Sequence, residues 1–209
     1  MKKLHLITLL ATAVASFSAS KAAIIIGGFS FDDNAFADTL ISSSGTFTTS
    51  GGTLNSVLTD KNPGTFAYSF TPSAFVELGF TDNLLVNGSG ADLVLFELGD
   101  VDALKVSIGG VIRTYATAFT GQTAGGFNLN AVGIDLNDFG IANGATLNSI
   151  VIGMDIENAR GTVPSLSLAG ALNTVAPRHS VPDSGSSIGL LLVGSLALAG
   201  MRRRLRTRA

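Results

Sequence analysis

The sequence predicts an all-β protein, a single β-sandwich, and three observations carry that prediction. Apolar runs in the body are short and rich in Val, Ile, Phe and Thr. They are separated by Gly, Asn, Asp or Pro at turn positions. No stretch of the body keeps apolar residues at helical spacing for three turns. Ten or so strands with frequent turns describe a sandwich, with a jelly-roll-like arrangement as the expected member. No fixed-period repeat points to a solenoid or propeller.

The elements follow in order. Thr53 to Thr59 and Thr65 to Phe70 read as strands joined by Asn62-Pro63-Gly64, with Pro and Gly at the central turn positions. Leu93-Val94-Leu95-Phe96 is apolar on both faces, as a central strand covered from both sides requires. Leu104 to Ile108 alternates, and Gly109-Gly110 suits a tight hairpin into a strand from Val111 to Phe119. Val132 to Leu136 alternates again. Leu147 to Met154 places Ile150, Ile152 and Met154 on one face, expected to meet Leu104, Val106 and Ile108 across the core. The 13 phenylalanines are assigned mostly to the core rather than to a binding platform.

Both ends differ from the body. Met1-Lys2-Lys3, the apolar Leu4 to Phe17 and the small residues from Ser18 to Ala23 have the layout of a secretory signal peptide. Cleavage by signal peptidase is expected after Ala22, with Ser20 as the alternative. At the other end, Val181-Pro182-Asp183-Ser184-Gly185 precedes an apolar run, Ser186 to Met201, and then Arg202, Arg203, Arg204, Arg206 and Arg208. Sixteen residues of helix span roughly 24 Å, and snorkelling arginines cover the small deficit against a hydrocarbon core of roughly 30 Å. The arginines act as a membrane stop that holds the C-terminus inside. The expected division is a signal peptide over 1–22, a body over 23–173, a linker over 174–180 and a C-terminal segment over 181–209.

This order of motif, span and basic tail resembles the C-terminal sorting signals of exosortase substrates, in the Val-Pro-Asp-Ser-Gly variant related to the Pro-Glu-Pro one. The resemblance covers Val181 to Ala209. It implies a bacterial protein that spans the inner membrane as an intermediate. An exosortase-like enzyme then cleaves it and passes it to the cell surface or extracellular matrix. In the body, Gly90 to Gly99 followed by Leu104 to Ile108 resembles secreted bacterial domains with a galactose-binding-like jelly roll. That likeness implies the fold and, through loops, an affinity for polysaccharide.

Charge and composition narrow the function. From Ala23 to Ser180 there are 14 acidic residues against five basic ones, a net −9, hidden by the basic ends in a whole-chain charge of −2. Such a body lacks the clustered Lys and Arg that nucleic acid demands. Cysteine is absent, and the two histidines, His5 and His179, lie outside the body. Cysteine nucleophiles, serine–histidine catalysis and histidine-ligated metals therefore lack their central residue there. Asp138-Phe139-Gly140 reads as a turn, and Asn87-Gly88-Ser89 as a chance sequon.

Carboxylates remain. Asp92, Glu97, Asp100 and Asp102 flank the Leu93 to Phe96 strand. Asp135, Asn137 and Asp138 form a second group, and Asp155, Glu157 and Asn158 a third. Such oxygens suit Ca²⁺, the one cofactor the residues would fit, but no spacing matches an EF-hand loop. Solvated turn residues are the preferred reading, and no catalytic, cofactor or metal residue is assigned. Glycoside hydrolysis needs a carboxylate pair, but no Trp is present to stack on a sugar. The expected function is a non-catalytic surface or matrix protein; the alternatives are a carbohydrate- or exopolysaccharide-binding module, Ca²⁺-dependent or not, and a secreted glycoside-active enzyme.

Overall fold

The computed structural model describes residues 23–177. The chain begins with β1 (Ile24–Ile26), β2 (Phe29–Phe31), β3 (Thr39–Ser44) and β4 (Thr48–Thr49). A short helix α1 (Leu54–Thr59) precedes β5 (Ala67–Tyr68), β6 (Phe75–Gly79), β7 (Leu84–Val86) and β8 (Leu93–Leu98). Then come β9 (Ala103–Ile108), β10 (Val111–Ala116), β11 (Ala118–Ala124) and β12 (Phe127–Ile134). The last strands are β13 (Thr146–Leu147), β14 (Ser149–Gly153), β15 (Leu166–Ala171) and β16 (Thr174–Val175).

Two antiparallel sheets make the sandwich, one of five strands in the order β10-β9-β14-β6-β3, the other of six, β11-β12-β8-β15-β5-β4. The main core lies between them. Val76, Leu78, Val106, Ile150 and Ile152 of the first sheet pack with Leu93, Leu95, Ile134 and Ala169 of the second. A second core covers the other side of the six-stranded sheet. There Val94, Phe96 and Leu98 meet Ile26, Phe31 and Phe36 from the N-terminal hairpin and its continuation. All six residues of β8 are buried, three toward each core, so Leu93 to Phe96 is the central strand its composition predicts.

Close approach of the hairpin explains a glycine in β15. A Cβ on Gly170 would lie 2.7 Å from Cε1 of Phe31. Gly170→Ala is therefore expected to cost about 1–3 kcal/mol through overpacking. A urea midpoint equal to wild type would show that the hairpin is loosely seated.

The Gly109-Gly110 hairpin forms as expected, with φ of 58° and 83° and Val111 paired to Ile108. These left-handed values match the twist of the strands they join. Four expectations are corrected. Thr53 to Thr59 is helical, because Leu54, Val57 and Leu58 stand at i, i+3 and i+4 and the Thr53 side chain caps the Ser56 amide. The run from Val111 to Phe119 is two strands in different sheets, broken at the buried Thr117, whose amide donates to the Asp102 carbonyl. β9 and β14 lie side by side in one sheet, with Ile152 opposite Val106, rather than across the core. Only Ala67 and Tyr68 of the Thr65 to Phe70 run form a strand.

Candidate functional site

The β5 segment inverts the usual strand arrangement. Its small residues Ala67 and Ser69 are buried, while Phe66 and Tyr68 are half-buried and Phe70 is 62 % exposed. The aromatics thus form a ledge on the outer side of the sheet. Phe66 and Tyr68 stack with centroids 6.3 Å apart, and Tyr68 meets Phe70 edge-on at 5.7 Å. Phe127, at the start of β12, sets its ring edge-on to Phe66 at 5.6 Å and is 47 % exposed. Phe70 and Phe127 thus lie at the surface, whereas phenylalanine was expected mostly in the core. The signal was present in the sequence: aromatics alternate with small residues from Phe66 to Phe70, so burying the small residues turns the rings outward.

Beside the ledge lies a cleft of about 270 Å³. Phe66, Tyr68 and Phe127 form one wall, Leu98 and Val163 add apolar surface, and Asp100, Asp102, Thr162 and Ser165 supply polar groups. Arg160 pairs with Asp100 at 3.1 Å. Asp102 accepts hydrogen bonds from the Asn158 amide and the Thr162 hydroxyl. Asn158, from the third predicted acidic group, thus joins residues of the first although 56 positions separate it from Asp102. Burial pushes the Asp102 carboxyl above its ordinary range, against the opposing hydrogen bonds from Thr162 and Asn158.

The four Ca²⁺ candidates do not meet. Asp92 and Glu97 stand five residues apart along β8, roughly 17 Å at the strand rise, so only Glu97, Asp100 and Asp102 share an end. Nor are they all solvated turn residues: Asp92, Glu97 and Asp102 are buried, and Asp100 alone is exposed. Among the described residues no group of three or more His, Cys, Asp or Glu is arranged to hold a metal ion. Of the other acidic residues, Asp135 caps a short 3-10 turn and Asp138 accepts from the Tyr115 hydroxyl. Asp155 pairs with Lys105 at 2.9 Å.

Glu97 sits under the cleft floor rather than in it. Its Oε1 accepts from the Asp102 amide at 2.7 Å and from the Thr117 hydroxyl. Its Oε2 is buried without a partner, as is Oδ1 of Asn130, the residue directly opposite on β12. Burial pushes this carboxyl up to about 7. A proton on Oε2 supplies the donor that both orphaned oxygens lack.

Asp92 is a structural hub. Its Oδ1 accepts from the Gly88 amide at 2.6 Å and the Asn173 side chain at 2.7 Å, and its Oδ2 from the Leu136 amide at 2.9 Å. Asn87 of the sequon is buried and donates to Asn137 and Ile141, so its nitrogen faces no solvent. Asp138-Phe139-Gly140 is the turn its sequence predicts, with Gly140 at φ 71°.

The predicted signal peptide, the sorting motif, the apolar run and the arginine tail lie outside the described residues. Among the described residues no helix is long and apolar enough to cross a membrane. The described residues form a β-sandwich body, and the chain that follows it carries a C-terminal sorting segment. That segment is of a particular kind: residues 180–205 match the family described as VPDSG-CTERM motif. The motif marks an exported, surface-directed protein with an exosortase-like enzyme as its processing partner. No curated protein and no solved structure matches the chain, so the galactose-binding-like likeness of the body finds no counterpart there.

Proposed function

We propose that this chain is a non-catalytic protein of the bacterial cell surface or extracellular matrix, delivered there in two cuts. The VPDSG-CTERM match over residues 180–205 carries the reading. Signal peptidase removes the N-terminal leader. The Ser186 to Met201 run then holds the intermediate in the inner membrane, and the exosortase-like enzyme cuts near Val181 to Gly185. Pro182 has no amide hydrogen and biases Val181 toward extended backbone, which gives a membrane protease an accessible segment. A body without histidine or cysteine supports a passive or binding role over catalysis.

Intact-mass measurement of protein recovered from the cell surface tests this. The expected mass lacks the leader and everything from Ile188 to Ala209, and deletion of the processing enzyme restores the tail. Surface protein that still carries Ile188 to Ala209 would overturn the reading.

A further inference from the structure

We propose that the cleft walled by Phe66, Tyr68 and Phe127 is a binding site for a single ring of a neutral saccharide. Three features converge on that ligand. The first is a wall of aromatic rings with Phe127 half in solvent at the head of β12. Aromatic faces are apolar surfaces with fixed geometry, and the C–H face of a pyranose is the flat, weakly apolar partner they match.

The second is the supply of hydrogen-bonding groups around that wall. The Tyr68 hydroxyl, the Ser165 hydroxyl and Oδ2 of Asp100 have no protein partner among the described residues, and all three side chains border the cleft. Two hydroxyls that both donate and accept, with one free carboxylate oxygen, suit the hydroxyls of a sugar.

Charge is the third feature, and it tells most strongly against an anionic ligand. Arg160, the cation beside the cleft, is held by Asp100, so a phosphate or uronate would meet carboxylates instead. An organic ammonium would find only Oδ2 of Asp100 free, because both oxygens of Asp102 accept from Thr162 and Oδ1 of Asp100 is paired to Arg160. The volume of about 270 Å³ lies just below the usual small-molecule range of about 300–1,000 Å³. One ring fits, with the rest of an oligosaccharide running out past Phe70. The proposal rests on the exported reading only for where the sugar is met. Failed sorting shows in the mass measurement and failed binding in the titration below.

Tyrosine fluorescence offers a direct probe, since the chain has no Trp and only Tyr68 and Tyr115. Full-length protein in whatever processed form the cell yields, carrying Tyr115→Phe, reports from Tyr68 alone. It would be titrated with gluco-, galacto- and manno-configured tetrasaccharides, with a polyuronate and with choline. The expected result is saturable binding of at least one neutral tetrasaccharide at millimolar concentration or below. Phe127→Ala should weaken it by about tenfold or more, while Ile112→Ala, exposed on the other sheet, should leave it unchanged. Phe127→Leu keeps apolar bulk without the ring and serves if the alanine variant fails to fold. No saturation by any neutral sugar, preference for choline or polyuronate, or an unchanged Kd in both Phe127 variants would overturn the site.

Discussion

Glu97→Gln should make the protein more stable at pH 8 while leaving it nearly unchanged at pH 4. The side chain is fully buried, and its carboxyl ionises near 7 in the fold against an ordinary 4.5 in the unfolded chain. Between those values the folded state holds a proton that the unfolded state has lost. The contribution is therefore complete below about 4.5 and falls away as pH rises to about 7, a loss on the order of 3 kcal/mol. Burial is the main cause of the raised value; repulsion from Asp102 adds to it, while the hydrogen bonds from the Thr117 hydroxyl and the Asp102 amide oppose it. Glutamine keeps an acceptor for the Asp102 amide and the Thr117 hydroxyl and brings its own N–H toward Asn130. Asp155 gives the opposite slope. Burial raises it, but the Lys105 and Ser73 hydrogen bonds outweigh burial and hold it low, so its stabilisation is lost only as pH falls below the ordinary carboxylate range. Urea midpoints at pH 4 and 8 for both proteins decide the matter. Parallel pH curves would mean Glu97 is ionised and solvated in the fold.

The second large effect is expected at the other end of the same strand. Asp92→Ala strips partners from the Gly88 amide, the Leu136 amide and the Asn173 side chain at once. Each buried donor left unsatisfied costs about 1–3 kcal/mol, so the total is expected to be on the order of 4 kcal/mol or more. Asp100→Asn, at an exposed carboxylate with a surface ion pair, should change stability by less than about 1 kcal/mol. Thermal melts of the two variants, compared with wild type, measure the contrast. Equal small shifts would deny Asp92 its role in joining the β7–β8 turn to the end of β15.

The sandwich was legible because strand alternation and turn chemistry are local. The two-glycine hairpin read at Gly109-Gly110 also occurs at Gly27-Gly28 and Gly125-Gly126, all with positive φ. The burial of Leu93 to Phe96 on both faces was equally plain from composition. What was not legible depends on partners distant in sequence. Leu54, Val57 and Leu58 show helical spacing for less than two turns, too short to stand out before β3 and β15 are placed against them. That β9 neighbours β14, instead of facing it, is a choice of strand order that both arrangements satisfy with the same inward residues. The cleft escaped for a related reason. An aromatic residue reads as core until its strand's small residues are seen to be the buried ones, and Asn158 reaches Asp102 only through the fold. The buried acids read as surface because their partners are backbone amides such as those of Leu136 and Asp102 and side chains such as Thr117, Asn158 and Asn173, most of them brought in from distant parts of the chain.

The N-terminal hairpin has a consequence for the timing of secretion. Its residues are made before the rest of the body, yet the surface it covers is finished last: Ala37 donates to the Ala169 carbonyl, and Ala171 to that of Ala35. The first and last segments of the body are therefore stitched together across more than 130 positions, and no shorter emerging chain can make the bond. Folding from such distant contacts is slow, because the loop must close before its contacts stabilise anything. A chain threaded only as far as β14 lacks β15, the strand that pairs with β8 and brings Leu168 into the second core. Closure of the body thus reports that the polypeptide has emerged almost to the end of the body, just before the sorting segment over residues 180–205 follows.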